Sequence, residues 1–211
     1  MTIGVFDSGK GGYYIAERLR SLMPEHTFIV ADDSEHVPYG TREKDEILAL
    51  TDQALQPLLG QCRIIVIACN TITTAIISVL RKRYPDVQFV GLEPMIKPAS
   101  TQTKSRHIIT LATPYTLASQ RYQQLKELYA EGILIDEPNT AHWPAVIEHG
   151  AIDQVDIRRV VASYHKGADV IVLGCTHYLA LIPRLQAKMP RAHILEPSDA
   201  IARRLRQLLR A

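Results

Sequence analysis

The chain has 211 residues, 24 of them Lys or Arg and 22 Asp or Glu, for a formal charge of +2. That near-balance argues against a dedicated nucleic-acid binder, which carries a clear basic excess. With 46% hydrophobic and 22% charged residues the composition is that of a globular chain, not a disordered one. The length suits one large domain or two of about 100 residues each. The longest apolar run, Ile64–Cys69, is far short of the roughly 20 residues that span a bilayer. No membrane association is expected. The opening Met-Thr-Ile-Gly-Val-Phe-Asp carries neither a basic nor an apolar leader region, so no signal peptide is expected. Three cysteines are too few for a disulfide scaffold and read as reduced thiols in a cytoplasmic setting.

Short β-branched runs predict strands at 3–6, 28–31, 64–68, 89–92, 107–111, 133–135, 170–173 and 193–195. Segments with helical periodicity fall between them, at 13–22, 44–58, 73–84, 115–129, 157–166 and 179–189. A last helix at 200–209 gathers Ile201, Leu205, Leu208 and Leu209 on one face, with Arg203, Arg204, Arg206 and Arg210 on the wet side. Strands alternating with helices predict an α/β fold of parallel sheets. In that class ligands sit at the carboxyl ends of the strands, in the loops that lead into helices. The polar stretch Pro94–Arg106 is a candidate boundary, dividing the chain into a first domain of residues 1–93 plus 192–211 and a second of 94–191.

A repetition at half the chain length sharpens this picture. Ile-Val-Ile-Ala-Cys-Asn-Thr around Cys69 resembles Ile-Val-Leu-Gly-Cys-Thr-His around Cys175, 106 residues on. Asp7, at the end of the first strand, stands the same 106 residues ahead of Thr113, at the end of the fifth. Two similar α/β halves are expected, each with a cysteine at the end of an equivalent strand.

A cysteine between a strand end and a helix N-terminus lies where partial positive charge favours the thiolate. If the halves face each other, a small substrate between them has one sulfur on each side. That arrangement removes a proton from one face of a carbon and delivers one to the other, inverting a stereocentre. A buried cysteine is more often a small apolar core residue, and Cys62 fits that reading. Cys69 and Cys175 depart from it through the polar residues that follow them, Asn70-Thr71 and Thr176-His177. A redox disulfide between the two stays open as an alternative. No metal is expected, since Cys-x-x-Cys is absent and the histidines are scattered.

Asp7-Ser8-Gly9-Lys10-Gly11-Gly12 opens the first helix without the spacing of a phosphate loop, so a carboxylate is a better guess for its anion than a nucleotide. Val37-Pro38-Tyr39-Gly40 reads as a turn displaying Tyr39. Thr113 and Thr116 offer two hydroxyls at one helix start, where simple capping is the plainer reading. Asp33, Glu148 and His177 are candidate partners for thiolates or a substrate amine, although an isolated acidic residue is usually solvated surface.

Together, Ile-Gly-Val-Phe-Asp-Ser-Gly at 3–9, Val-Pro-Tyr-Gly at 37–40, Ala-Cys-Asn-Thr at 68–71, Thr113-x-x-Thr116 and Gly-Cys-Thr-His-Tyr at 174–178 resemble, in order and across most of the chain, the glutamate branch of the Asp/Glu racemase superfamily. The resemblance implies two pseudosymmetric α/β domains with the active site in the cleft between them, a homodimer, and racemisation of glutamate without a cofactor for D-glutamate supply to peptidoglycan. It implies that Cys69 and Cys175 are the acid–base pair, with Asp7 assisting Cys69, His177 assisting Cys175, and Glu148 near the second cysteine. Ser8, Pro38, Tyr39, Gly40, Asn70, Thr71, Thr113, Thr116 and Thr176 are the implied substrate-binding set. The rivals are a broader aspartate/glutamate racemase and a catalytically weak homologue that binds an acidic amino acid or a protein partner. Lys10, Ile72 and Leu179 depart from the family pattern. The larger side chain at 72 is expected to narrow the pocket, and Lys10 either to add a carboxylate contact or to block one.

Overall fold

Eight strands form two four-stranded sheets in which every neighbouring pair is parallel. The computed structural model describes residues 1–210. The first half runs β1 (Thr2–Asp7), α1 (Gly11–Leu22), β2 (Thr27–Asp32), α2 (Lys44–Leu59), β3 (Ile64–Ile67), α3 (Asn70–Arg83) and β4 (Gln88–Gly91). The chain continues with α4 (Ile96–Gln102), β5 (His107–Ala112), α5 (Pro114–Ala118), α6 (Gln120–Tyr129), β6 (Leu134–Asp136), α7 (Trp143–Glu148), α8 (Arg158–His165), β7 (Val170–Gly174), α9 (Ile182–Lys188), β8 (His193–Leu195) and α10 (Ser198–Arg210). Strand order is β2-β1-β3-β4 in one sheet and β6-β5-β7-β8 in the other. The registers of the central pairs match to within one residue: Gly4 stands beside Ile65, and Ile109 beside Ile171. The repeat seen in the sequence is therefore a repeat of topology.

The central strands are apolar on both faces because helices cover both, as parallel sheets require. Each sheet has two packed layers. Around the first sheet, Ile3, Val5, Val66 and Leu19 form one core, and Phe6, Ile65, Ile67, Ile76 and Leu55 the other.

The halves exchange their last helices. Helix α4 follows β4 of the first sheet yet buries Ile96 and Ala99 against Ile108, Tyr122 and Val170 of the second. Helix α10 follows β8 of the second sheet yet buries Ile201, Ala202 and Leu205 against Ile3, Ile15 and Leu19 of the first. Both crossings read Leu-Glu-Pro, at residues 92–94 and 195–197, and a residue ahead of proline is steered to extended backbone. Each glutamate is tied to the half that the chain is entering. Arg121 grips Glu93 with two bonds of 2.7 and 2.8 Å, and Arg18 lies 3.7 Å from Glu196.

Residues 193–195 pair with β7 and so belong to the second sheet. The polar stretch after Pro94 holds α4. The helix expected over 115–129 is two, broken at Ser119, whose side chain caps α6 by accepting from the Tyr122 amide. Likewise 179–189 opens as a 3₁₀ turn over Thr176–Leu181 and becomes α-helical only at Ile182, with Pro183 in its first turn. Among the described residues no helix is long and apolar enough to cross a membrane.

Leu205→Ala, which empties a fully buried position between the exchanged helix and α1, is expected to cost about 2–5 kcal/mol in urea unfolding. Arg204→Ala on the exposed face of the same helix should stay within about 0.5 kcal/mol.

Candidate active site

The carboxyl ends of both sheets meet at one cleft. Its walls come from Ser8 after β1, Val37–Gly40 after β2, Cys69–Thr71 after β3, Thr113 after β5, Pro144 on α7, and Gly174–His177 at the end of β7, and the cavity between them is small, about 20 Å³. Eleven of the fourteen residues named from the sequence line it; Asp7, Glu148 and Thr116 stand directly behind that lining. Val37 and Gly174, which stand in the motifs at 37–40 and 174–178, and Pro144, which stands in none, complete the wall.

Cys69 ends the extended segment after β3, and α3 begins at the next residue. Cys175 occupies the matching place after β7, ahead of the 3₁₀ turn. Both sulfurs line the cleft and both thiols are free. Cys62 is a core residue beside Leu58 and Ile65.

The two cysteines have unlike neighbours. The Ser8 hydroxyl lies 3.4 Å from the Cys69 sulfur. Burial pushes the Cys69 thiol up to about 12, and the negative charge of Asp7 adds to this. The helix N-terminus expected to favour a thiolate there is outweighed by loss of water. On the other side, His177 Nδ1 stands 3.8 Å from the Cys175 sulfur, while its Nε2 is 2.7 Å from Glu148 Oε2. Burial opposes charge on His177, but the Cys175 sulfur and the Glu148 carboxylate outweigh it and hold the imidazole up to about 10. Burial likewise works against the Glu148 carboxylate, yet its bonds from His177 and from the Lys10 amide bring it down to about 2. His177 and Glu148 are thus a buried ion pair.

Asp7 is fully buried, and its acidity is weakened to about 7 by burial, offset in part by the His177 charge and its bonds from Thr176 and Ser8. Asp7 Oδ1 accepts from the Ser8 amide at 2.8 Å, and Oδ2 accepts from Thr176 Oγ1, across the cleft, at 2.8 Å. Ser8 is the hydrogen-bonding neighbour of the Cys69 sulfur, and Asp7 acts on that thiol through its charge. A matching bond crosses the other way, Thr71 Oγ1 to Thr113 Oγ1 at 2.9 Å. Thr113 also donates to Thr116, which therefore lies behind it, and caps α5 by accepting from the Thr116 amide. Tyr39 donates to Asp33 at 2.6 Å, and Asp33 also meets His36. Asp33 thus anchors the Tyr39 turn.

Glycines at the cleft are required by close approach. A Cβ on Gly9 would lie 2.7 Å from Glu148 Oε2 and 2.9 Å from His177 Nε2. One on Gly40 would lie 2.6 Å from Thr113 Cβ. Of the departures, Ile72 is fully buried in the core with Phe6, Tyr39 and Ile67 and does not narrow the cleft. Leu179 packs in the first-half core. Lys10 does not line the cleft; its ammonium donates to the Glu148 carbonyl at 2.9 Å.

Two α/β halves of equal topology, each bringing a strand-end cysteine to a shared cleft, define a racemase-type scaffold, and the chain belongs to the Asp/Glu/hydantoin racemase family, whose model matches residues 14–205. Within it the chain is similar to glutamate racemases. That of Roseiflexus sp. (strain RS-1) is 36% identical over 214 residues, spanning 98% of this chain and 79% of that protein. That of Herpetosiphon aurantiacus is 38% identical over 216 residues, spanning 99% and 85%. The crystal structure of Escherichia coli glutamate racemase in complex with L-glutamate and the activator UDP-MurNAc-ala has a TM-score of 0.87 at 28% identity, covering 99% of this chain and 82% of that one.

The ion pair predicts a pH signature. His177 is held above its ordinary 6.5, so its stabilisation is complete below that value and is lost as pH rises towards about 10. Glu148 is held below its ordinary 4.5, so its share is present above that value and is lost as pH falls towards about 2. The stability difference between wild type and His177→Asn, from denaturation at each pH, is expected to be largest between these limits and to shrink on both sides. Gly9→Ala should part His177 from Glu148 and lower turnover at least about tenfold with the circular dichroism spectrum unchanged.

Proposed function

We propose that this protein interconverts L- and D-glutamate by a two-thiol acid–base mechanism, without a cofactor, in the cytoplasm, as a homodimer that supplies D-glutamate for peptidoglycan. The observation that carries the reading is the pair of free cysteines at equivalent strand ends in one cleft. The similarity to glutamate racemases, one of them with L-glutamate bound, supports the substrate.

In this mechanism one sulfur, as thiolate, takes the α-proton from one face of the amino acid. The electrons of the C–H bond pass into the α-carboxylate, and the opposite thiol gives its proton to the other face. The surroundings favour one starting arrangement. The proton acceptor is placed on the Cys175 side, which faces the His177 ring at 3.8 Å, while burial and the Asp7 charge keep Cys69 protonated. Turnover leaves the reverse arrangement, ready for the other enantiomer.

The cleft binds its ligand chiefly with neutral groups, because no Arg, Lys, Asp or Glu side chain lines it. The Ser8 hydroxyl and the N-terminus of α3 serve the carboxylates, where donors aimed at the α-carboxylate stabilise the charge that develops on it, and the hydroxyls of Thr71, Thr113 and Thr176, whose protons are given to protein acceptors, line the walls beside them. The Asn70 amide oxygen, buried without a partner in the cleft wall, accepts from the substrate ammonium.

A thiol carries a single proton, which marks the route in D₂O. Starting from L-glutamate without added cofactor, early D-glutamate should carry deuterium at Cα while recovered L-glutamate keeps its hydrogen. Cys69→Ser and Cys175→Ser should each lower racemisation by about 10²–10⁴-fold. Near-normal turnover in either variant, or deuterium in recovered substrate as early as in product, overturns the two-thiol route. Equal turnover of L-aspartate changes the substrate to both acidic amino acids, and no exchange on either amino acid overturns the assignment.

A further inference from the structure

Lys10 makes three contacts with one residue of the opposite half. Its main-chain N–H donates to Glu148 Oε2 at 3.0 Å, its ammonium donates to the Glu148 carbonyl at 2.9 Å, and the same ammonium lies 3.8 Å from Glu148 Oε1. Oε1 is buried and has no hydrogen-bond partner, and the Lys10 ammonium is the cation beside it. The carbonyl it binds belongs to the last residue of α7, where a helix presents unpaired oxygens and cations are favoured. Glu148 in turn holds His177 Nε2, and His177 Nδ1 faces the Cys175 sulfur.

We propose that Lys10 is a positioning residue: from the first half it fixes the carboxylate of Glu148, and through it the His177 ring, beside Cys175. The inference rests on the acid–base reading of Cys175 given above. It follows that closing the two halves and completing the proton-transfer group of Cys175 are one event, because the clasp spans the cleft and its far end is the partner of the imidazole. Lys10 itself stays outside the cleft with its side chain 61% exposed. An exposed ion pair adds little to stability, so its effect falls on the orientation of a buried pair.

The test compares Lys10→Met, which keeps most of the stem and removes the charge, with Lys10→Arg. Lys10→Met should lower kcat for both enantiomers about threefold to tenfold with KM little changed, and Lys10→Arg should restore most of it. In a Glu148→Gln background Lys10→Met should add little further loss, since the route runs through that carboxylate. A readout free of turnover is the downfield Nε2–H proton resonance of His177, which should broaden in Lys10→Met and return in Lys10→Arg. A rise in KM with kcat unchanged would place Lys10 on the substrate and overturn the proposal. Unchanged kinetics with an unchanged resonance, or an equal loss in the Glu148→Gln background, would overturn it too. If wild type fails to exchange the α-proton of glutamate while the resonance still responds to Lys10, the racemase assignment fails and the clasp stands.

Discussion

The bond from Thr176 to the buried carboxylate of Asp7 joins the two halves at the point where everything else converges. Asp7 ends the central strand of one sheet, and Thr176 follows the cysteine of the other. Thr113, the counterpart of Asp7, reaches Thr71 on the opposite side in the same way. Each half thus lends the end of its central strand to the loop that carries the other half's cysteine. A buried carboxylate is costly unless it is bonded, so Asp7 holds the facing loop in place as much as it tunes the thiol beside it.

The exchange of α4 and α10 gives that meeting a frame. Each half is completed by a helix delivered from the other, and the two Leu-Glu-Pro segments are where the chain crosses between them. Their glutamates are anchored to opposite halves, Glu93 on Arg121 and Glu196 on Arg18. The polar clasp at the cleft, made by Asp7, Lys10, Thr71 and their partners, closes the side where the cysteines meet.

Within this near-symmetric frame the chemistry is asymmetric. Asp7 and Thr113 occupy equivalent positions, yet one is a carboxylate and the other a hydroxyl. Thr71 and His177 are likewise equivalent, two residues past their cysteines. These exchanges surround Cys69 with negative charge and Cys175 with positive charge. On the two-thiol route proposed above, L- and D-glutamate have equal free energies, so the thiols need matched competence but not identical surroundings. Burial beside the Cys69 thiol weakens the acidity of Asp7 to about 7.

The sequence by itself determined the strands, the parallel α/β class and the two-fold repeat, because apolar β-branched runs of four to six residues, such as Ile64–Ile67 and His107–Ala112, are local signals. It also named the residues of the cleft, since they follow the strands directly and carry the family's motifs. Short helices escaped it: α4 sits in a polar stretch and α7 spans six residues with proline in its first turn, so packing, not periodicity, makes them helical. Only the tertiary structure decided which partner each residue has. It turned Asp7 towards Thr176, set Ser8 on Cys69, put Ile72 in the core, and brought Lys10 to Glu148 from 138 residues away. Those pairings depend on how two separately legible halves face one another, and no local pattern carries that information.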